Sequence, residues 1–151
     1  MLTPRLLLSH QAGLLNWAYS YEDGVLAFDH SPATRFSYSG AGIELAAQYA
    51  EAKTGRSFQD LAVEHLLTPL GVKDMSMGLL ADWAKGRATK PMDANGDYRP
   101  IADLNQRLAR GDSNGAADDL LTTVSASANL LVALIESTWL SDKPISDRAS
   151  F

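Results

Sequence analysis

The chain is 151 residues long, with 46% hydrophobic and 21% charged residues, which is enough for one buried core and excludes a disordered polar chain. Thirteen Lys and Arg stand against 18 Asp and Glu, a formal charge of −5, and no basic block occurs; this disfavours nucleic acid and an anionic membrane surface as partners. There is no cysteine, so disulfides, thiolate metal sites and a thiol nucleophile are excluded.

Leu and Ala number 22 each, whereas Val (5) and Ile (4) are few. Leu and Ala favour helices and β-branched residues favour strands, so the expected body is mainly α with a minor β-hairpin. The longest apolar run, Leu130 to Ile135, is too short to span a bilayer. The apolar run near the N-terminus, Leu6 to Leu8, makes a poor signal peptide. The expectation is a soluble chain whose compartment stays open.

In chain order, Thr3-Pro4 is a helix start, a hydroxyl N-cap followed by proline, and Gly13 is the expected stop. Residues 16–36 carry aromatics without helical period, with turn signals at Glu22-Asp23-Gly24 and Ser31-Pro32, and read as a long loop. From Ala41, the apolar positions Ile43, Ala46, Ala47 and Ala50 predict an amphipathic helix that Gly55 caps. Ser57 caps a second helix, with Phe58, Leu61, Ala62, His65 and Leu66 as its inner face and Pro69 and Gly71 beyond it. A short turn of helix is expected between Gly78 and Ala84. Asn95-Gly96 is the strongest hairpin signal. Thr122-Thr123 leads into a last helix with Val124, Leu130, Leu131, Leu134 and Ile135 on its apolar side, and the chain turns polar after Trp139.

Few residues point to chemistry. His10, His30 and His65 are widely separated and fit no ligand spacing, so they read as structural or surface side chains, and no metal is expected. Asp93 to Asp97 is better read as a turn than as a calcium loop, because its glycine comes too early and no closing Glu follows. Arg110-Gly111-Asp112-Ser113 is a chance tetrapeptide. Phe36-Ser37-Tyr38-Ser39-Gly40-Ala41-Gly42 is different, because small residues crowd one tyrosine at a helix start. Its hydroxyl could stand clear in a cleft and exchange protons; the competing reading has Ser39 capping the helix and Tyr38 packed on the core.

Four segments lie in register with one known family. Leu2 to Leu14 resembles the "TxRxLLxHTSGL" segment of serine β-lactamase-related hydrolases, the group of penicillin-binding carboxypeptidases, class C β-lactamases and related esterases. Pro32 to Ser39 resembles its "PGxxFxYSN" loop. Thr54 to Phe58 with Pro69 to Asp74 resembles "TGxxF…PLGMxxT", and Ala116 to Thr123 resembles "AAGxLxTT". Together they cover about residues 2–135 and imply one partial domain over 1–151: the helical subdomain of the β-lactamase/transpeptidase-like α/β fold, without its central sheet. The resemblance implies acyl transfer on an ester, β-lactam or D-Ala peptide, with no cofactor and with a small-molecule ester or amide as partner. Family members occupy several compartments.

The departures are equally specific. No Ser-x-x-Lys, the family's nucleophile motif, occurs in the 151 residues. Lys53-Thr54-Gly55 spells the third motif but falls at a helix end, whereas that motif belongs on a strand. By resemblance Tyr38 is the proton-transfer residue. Gly40 stands where asparagine would bind the substrate amide, which leaves ester hydrolysis more open, and Ala126 stands near the place of an aspartate. Trp17, Tyr19 and Tyr21 are candidates to line the substrate cleft, and are equally well explained as satellite core. Two functions stay open: a piece of a serine hydrolase, inactive alone, or a non-catalytic helical binding module. Either way, helices that lack the sheet they rest on predict self-association through exposed apolar faces.

Overall fold

Thr3 and Pro4 begin the first helix as their chemistry requires. In the computed structural model, helix α1 runs Pro4–Leu8, and Thr3 Oγ1 accepts the N–H of Leu6 at 3.3 Å. The structure describes residues 1–17, 25–77, 82–84, 86–89, 92–98 and 115–136. Ser9, not Gly13, closes α1. Gly13 instead holds a left-handed turn at φ 78°, where its carbonyl accepts the N–H of Asp29 at 2.8 Å. That turn lets Leu14 bridge to Phe28 and folds the long loop back onto itself.

Helix α2, Gly40–Thr54, starts one residue earlier than its apolar period predicts and ends at Gly55 with φ 69°. Helix α3, Phe58–Ala62, is capped by Ser57, whose Oγ accepts the Asp60 N–H at 3.1 Å. A π turn over Val63–Leu67 continues it. The wider turn rotates the face that follows, so Leu67 is buried and His65, expected on the inner face, is exposed.

Strand β1 (Met75–Met77) pairs antiparallel with β2 (Leu120–Thr122), Ser76 opposite Leu121. This is the sheet among the described residues, and its strands are far apart in sequence. The Asn95-Gly96 turn forms separately: Gly96 has φ 86°, Asp93 accepts the N–H groups of Asn95 and Asp97, and Met92 bridges to Tyr98. Of the helix expected between Gly78 and Ala84, a 3-10 turn over Asp82–Ala84 is described.

Helix α4, Val124–Glu136, follows β2 directly, and Thr123 Oγ1 accepts the Ala126 N–H at 3.2 Å. Its buried residues are Ala126 and Ala133, with Leu130 partly buried between them. Val124, Leu131, Leu134 and Ile135, expected to face the core, are exposed. Residues 126, 130 and 133 share one face at helical spacing, and 124, 131 and 135 share the opposite one. Ala126, Leu130 and Ala133 thus form the inner side of α4, and Val124, Leu131 and Ile135 the outer one.

Two apolar clusters form among the described residues. Leu67, Val72, Met75 and Ala126 form one, flanked by Leu66, Leu70 and Leu130. Leu7, Ala12 and Leu14 form the other, flanked by Leu2, Leu26, Leu45 and Ala46, and this cluster seats α1 against α2. Each fully buried leucine contributes about 1.5–3 kcal/mol.

Candidate active site around Tyr38

Residues 37–41 are stitched to residues 10–16 by a run of hydrogen bonds. Ser37 N–H donates to the carbonyl of His10 at 2.8 Å, and Ser39 N–H donates to His10 Nδ1 at 3.2 Å. Ser39 Oγ donates to the Leu15 carbonyl at 2.8 Å and accepts the Gly42 N–H at 3.0 Å. Gly40 N–H donates to Asn16 Oδ1 and Ala41 N–H to the Asn16 carbonyl, each at 2.8 Å. The first three N–H groups of α2 are therefore taken inside the protein, so its N-terminus offers no ready anion site. The capping role expected of Ser39 is met, and the residue is 1% exposed.

Tyr38 is not packed on the core. It is 56% exposed, and its ring lies 4.5 Å from the imidazole of His10, tilted by 35°. Phe36 also meets that imidazole edge-on, at 5.6 Å. Ser39 is extended, with φ −145° and ψ 110°. Tyr38 therefore leaves the chain on the side opposite the buried Ser39 side chain.

Gly40 is buried, and an ideal Cβ at this position would lie 2.6 Å from Cη2, 2.7 Å from Cζ3 and 3.0 Å from Cζ2 of Trp17. The structure thus brings Trp17 against Gly40, while Tyr38 stacks on His10. Tyr19 and Tyr21 lie outside the described residues. Lys53 sits at the far end of α2, about 20 Å away by helical rise, with its ammonium over the Tyr49 ring. Lys53-Thr54-Gly55 is a helix C-terminus, as its position in the sequence implies.

Glu44, one turn into α2, accepts the N–H groups of Ala116 and Ala117 at 3.0 and 2.8 Å. Burial pushes its carboxyl above the usual range; these two hydrogen bonds oppose the shift, and the charges of Asp119 and Glu51 add to it. The contact ties the 115–118 turn to the first turns of α2, the helix that the 37–41 turn begins. Asn16 and Glu44 carry these ties, and sequence reasoning missed both. Only the polarity of Glu44 on an otherwise alanine-rich helix start hinted at them.

Among the described residues, no three His, Asp or Glu side chains group as metal ligands, and no helix is long and apolar enough to cross a membrane. His30 pairs with Asp29, which Arg35 also reaches at 3.1 Å. A cavity of about 290 Å³ lies apart from Tyr38, between Trp83, Arg87, Thr89 and residues Leu120–Thr123.

The family model described as Beta-lactamase matches residues 2–148. The chain belongs to the beta-lactamase family. Among solved structures it is similar to the D-amino acid amidase of Ochrobactrum anthropi SV3, with TM-score 0.71 and 22% identity over 93% of this chain and 45% of that one. It is also similar to the simvastatin synthase LovD of Aspergillus terreus (TM-score 0.69, 19% identity, 89% of this chain and 36% of that one). A third is the octameric penicillin-binding protein homologue of Pyrococcus abyssi (TM-score 0.61, 20% identity, 89% and 34%). The chain spans less than half the length of each of these beta-lactamase-like structures. No curated protein matches the sequence significantly. Among the described residues, the mainly helical architecture with one two-stranded sheet is the helical part of that fold.

Proposed function

We propose that these residues form the helical part of a serine hydrolase that transfers acyl groups from a small ester or amide, as one partial domain over residues 1–151. Tyr38 is the residue that moves the proton. Its support is geometric: the ring is exposed over His10, while the residue after it is buried and held by three hydrogen bonds. A general acid or base needs this combination of an accessible hydroxyl and a fixed backbone. A hydroxyl nucleophile also needs a base beside it, which the family draws from Ser-x-x-Lys, and the 151 residues contain no such motif.

The test is covalent labelling of the purified chain with a fluorophosphonate and with a fluorescent penicillin. No stoichiometric label is expected. When segments carrying both Ser-x-x-Lys and the strand-borne third motif are joined in trans or in a longer polypeptide, labelling is expected to appear, and Tyr38→Phe should then lower kcat/KM on a p-nitrophenyl ester about 10²–10⁴-fold. Labelling of the chain alone, or unchanged turnover in Tyr38→Phe, contradicts the proposal. A second reading, a non-catalytic helical binding module, draws on the same missing motif and on Gly40. It predicts no turnover in any of these combinations.

A further inference from the structure

Strand β2 has one edge in use and one edge open. Thr123 N–H donates to the Asp74 carbonyl at 3.2 Å, in the same register that sets Leu121 opposite Ser76, so residues 121 and 123 turn their backbone groups toward β1. In an antiparallel pair these groups alternate from one residue to the next. The N–H and C=O groups of Leu120 and Thr122 therefore point to the other edge. Among the described residues, neither of these two N–H groups meets an acceptor.

The cavity of about 290 Å³ runs along that edge, lined by Leu120, Leu121, Thr122 and Thr123 in succession. Successive strand side chains point to opposite faces, so a cavity over one face would meet only alternate residues. One that meets all four lies beside the strand, and β1 already occupies one side. Trp83, Arg87 and Thr89 stand on the far wall. That wall is held by its own bonds: the Arg87 and Ala88 N–H groups donate to the Ala84 carbonyl at 3.0 and 3.1 Å, and Arg87 Nη1 reaches the Trp83 carbonyl at 3.5 Å. Asp74 Oδ2 is 4.0 Å from Arg87 Nη2, beyond hydrogen-bond distance, and the Arg87 side chain is 61% exposed. An exposed pair this loose competes weakly with a second carboxylate.

We propose that this slot binds a short extended peptide, which adds to the open edge of β2 as a third strand and sets its terminal carboxylate against Arg87. Two donors and two acceptors that recur every second residue match an extended backbone, and a three-residue edge about 10 Å long takes two or three peptide residues. The half-buried Trp83 and the exposed Leu120 offer apolar contact to the side chains of such a peptide. The guanidinium supplies the charge that a carboxylate requires. His10, Asn16 and Ser39, which hold the Tyr38 turn, do not line this cavity, so the proposal stands or falls independently of the role of Tyr38.

The test is titration of the purified chain with the N-acetyl tripeptide Val-Thr-Val carrying a free carboxyl group, followed by amide NMR. The Leu120 and Thr122 N–H groups should shift and exchange more slowly with solvent, whereas exchange at Leu121 and Thr123, already bonded to β1, should change little. Two analogues separate strand addition from simple filling of a cavity: one is N-methylated at its central residue, the other at both outer residues. An added strand bonds through alternate nitrogens, so one analogue should bind as the parent peptide does and the other about tenfold more weakly or not at all. Arg87→Gln should weaken the acid about tenfold and leave the corresponding C-terminal amide unchanged. Equal effects of the two methylations, whether both analogues bind or both fail, overturn the proposal. So do shifts confined to the Trp83 indole, the absence of a saturable shift at Leu120 and Thr122, and an acid that binds Arg87→Gln as well as the parent.

Discussion

The imidazole of His10 accepts the backbone N–H of Ser39 through Nδ1 at 3.2 Å, and the same ring lies 4.5 Å from the ring of Tyr38. One side chain therefore fixes the turn that carries the tyrosine and forms the platform under its ring. His10 does so from a left-handed backbone, with φ 56°, a conformation that most side chains avoid. Strain of this kind persists where surrounding bonds over-determine the geometry, and here Ser37 N–H also holds the His10 carbonyl.

His10→Ala should be less stable than the parent by about 1–3 kcal/mol, because the largely buried Ser39 N–H loses its acceptor. His10→Gly removes the same bond but relaxes the positive φ, so it should fall between the two. Urea denaturation gives the order, and amide exchange at Ser39 should quicken in both variants. An alanine variant as stable as the parent would show that the bond contributes nothing.

Glu44 makes stability depend on pH. Burial raises its carboxyl above the ordinary value in the folded chain, so the folded state holds this proton at pH values where the unfolded chain has lost it. Its contribution is fully present below the unfolded pKa and is lost as pH rises through the raised folded value. Glu44→Gln keeps an oxygen to accept the Ala116 and Ala117 N–H groups and removes the titration. The melting temperature of Glu44→Gln relative to the parent should therefore climb as pH is raised from about 4 toward neutrality. A difference that stays flat with pH would contradict the assignment.

Tyr38→Phe should change stability by no more than about 0.5 kcal/mol, because the residue is exposed and the ring that meets His10 is retained. Chemical denaturation measures this directly. A loss several times larger would mean that the hydroxyl is a structural group, and would return Tyr38 to the packing role that the sequence also permits.

The outer face of α4 should make the chain associate with itself. Val124 is 89% and Ile135 75% exposed, with Leu131 on the same side. Sedimentation is expected to show oligomers that grow with concentration, together with binding of the dye ANS. Leu131→Glu with Ile135→Lys should reduce both and leave the melting temperature nearly unchanged, whereas Ala133→Glu, on the buried face, should unfold the helix packing. A dye-negative monomer at all concentrations would contradict this.

The features legible in the sequence are those whose causes lie within a few residues. Thr3, Ser39 and Ser57 act as caps because a hydroxyl meets the N–H three positions on. Gly55 and Gly96 adopt positive φ because their turns require it. The four resembling segments are likewise local strings, and they pointed to the family that residues 2–148 match. Tertiary contact decided the rest. A π turn replaces His65 with Leu67 in the core, and α4 turns Ala126, Leu130 and Ala133 inward and leaves Val124, Leu131 and Ile135 outside. Glu44 reaches Ala116 and Ala117 across more than 70 residues. The indole of Trp17 leaves no room for a side chain at 40, and so turns a glycine that reads as a lost residue into one required by its neighbour. Composition and periodicity report how each residue suits its own segment. Which distant side chain fills a given volume follows only from packing, where two atoms cannot share one space.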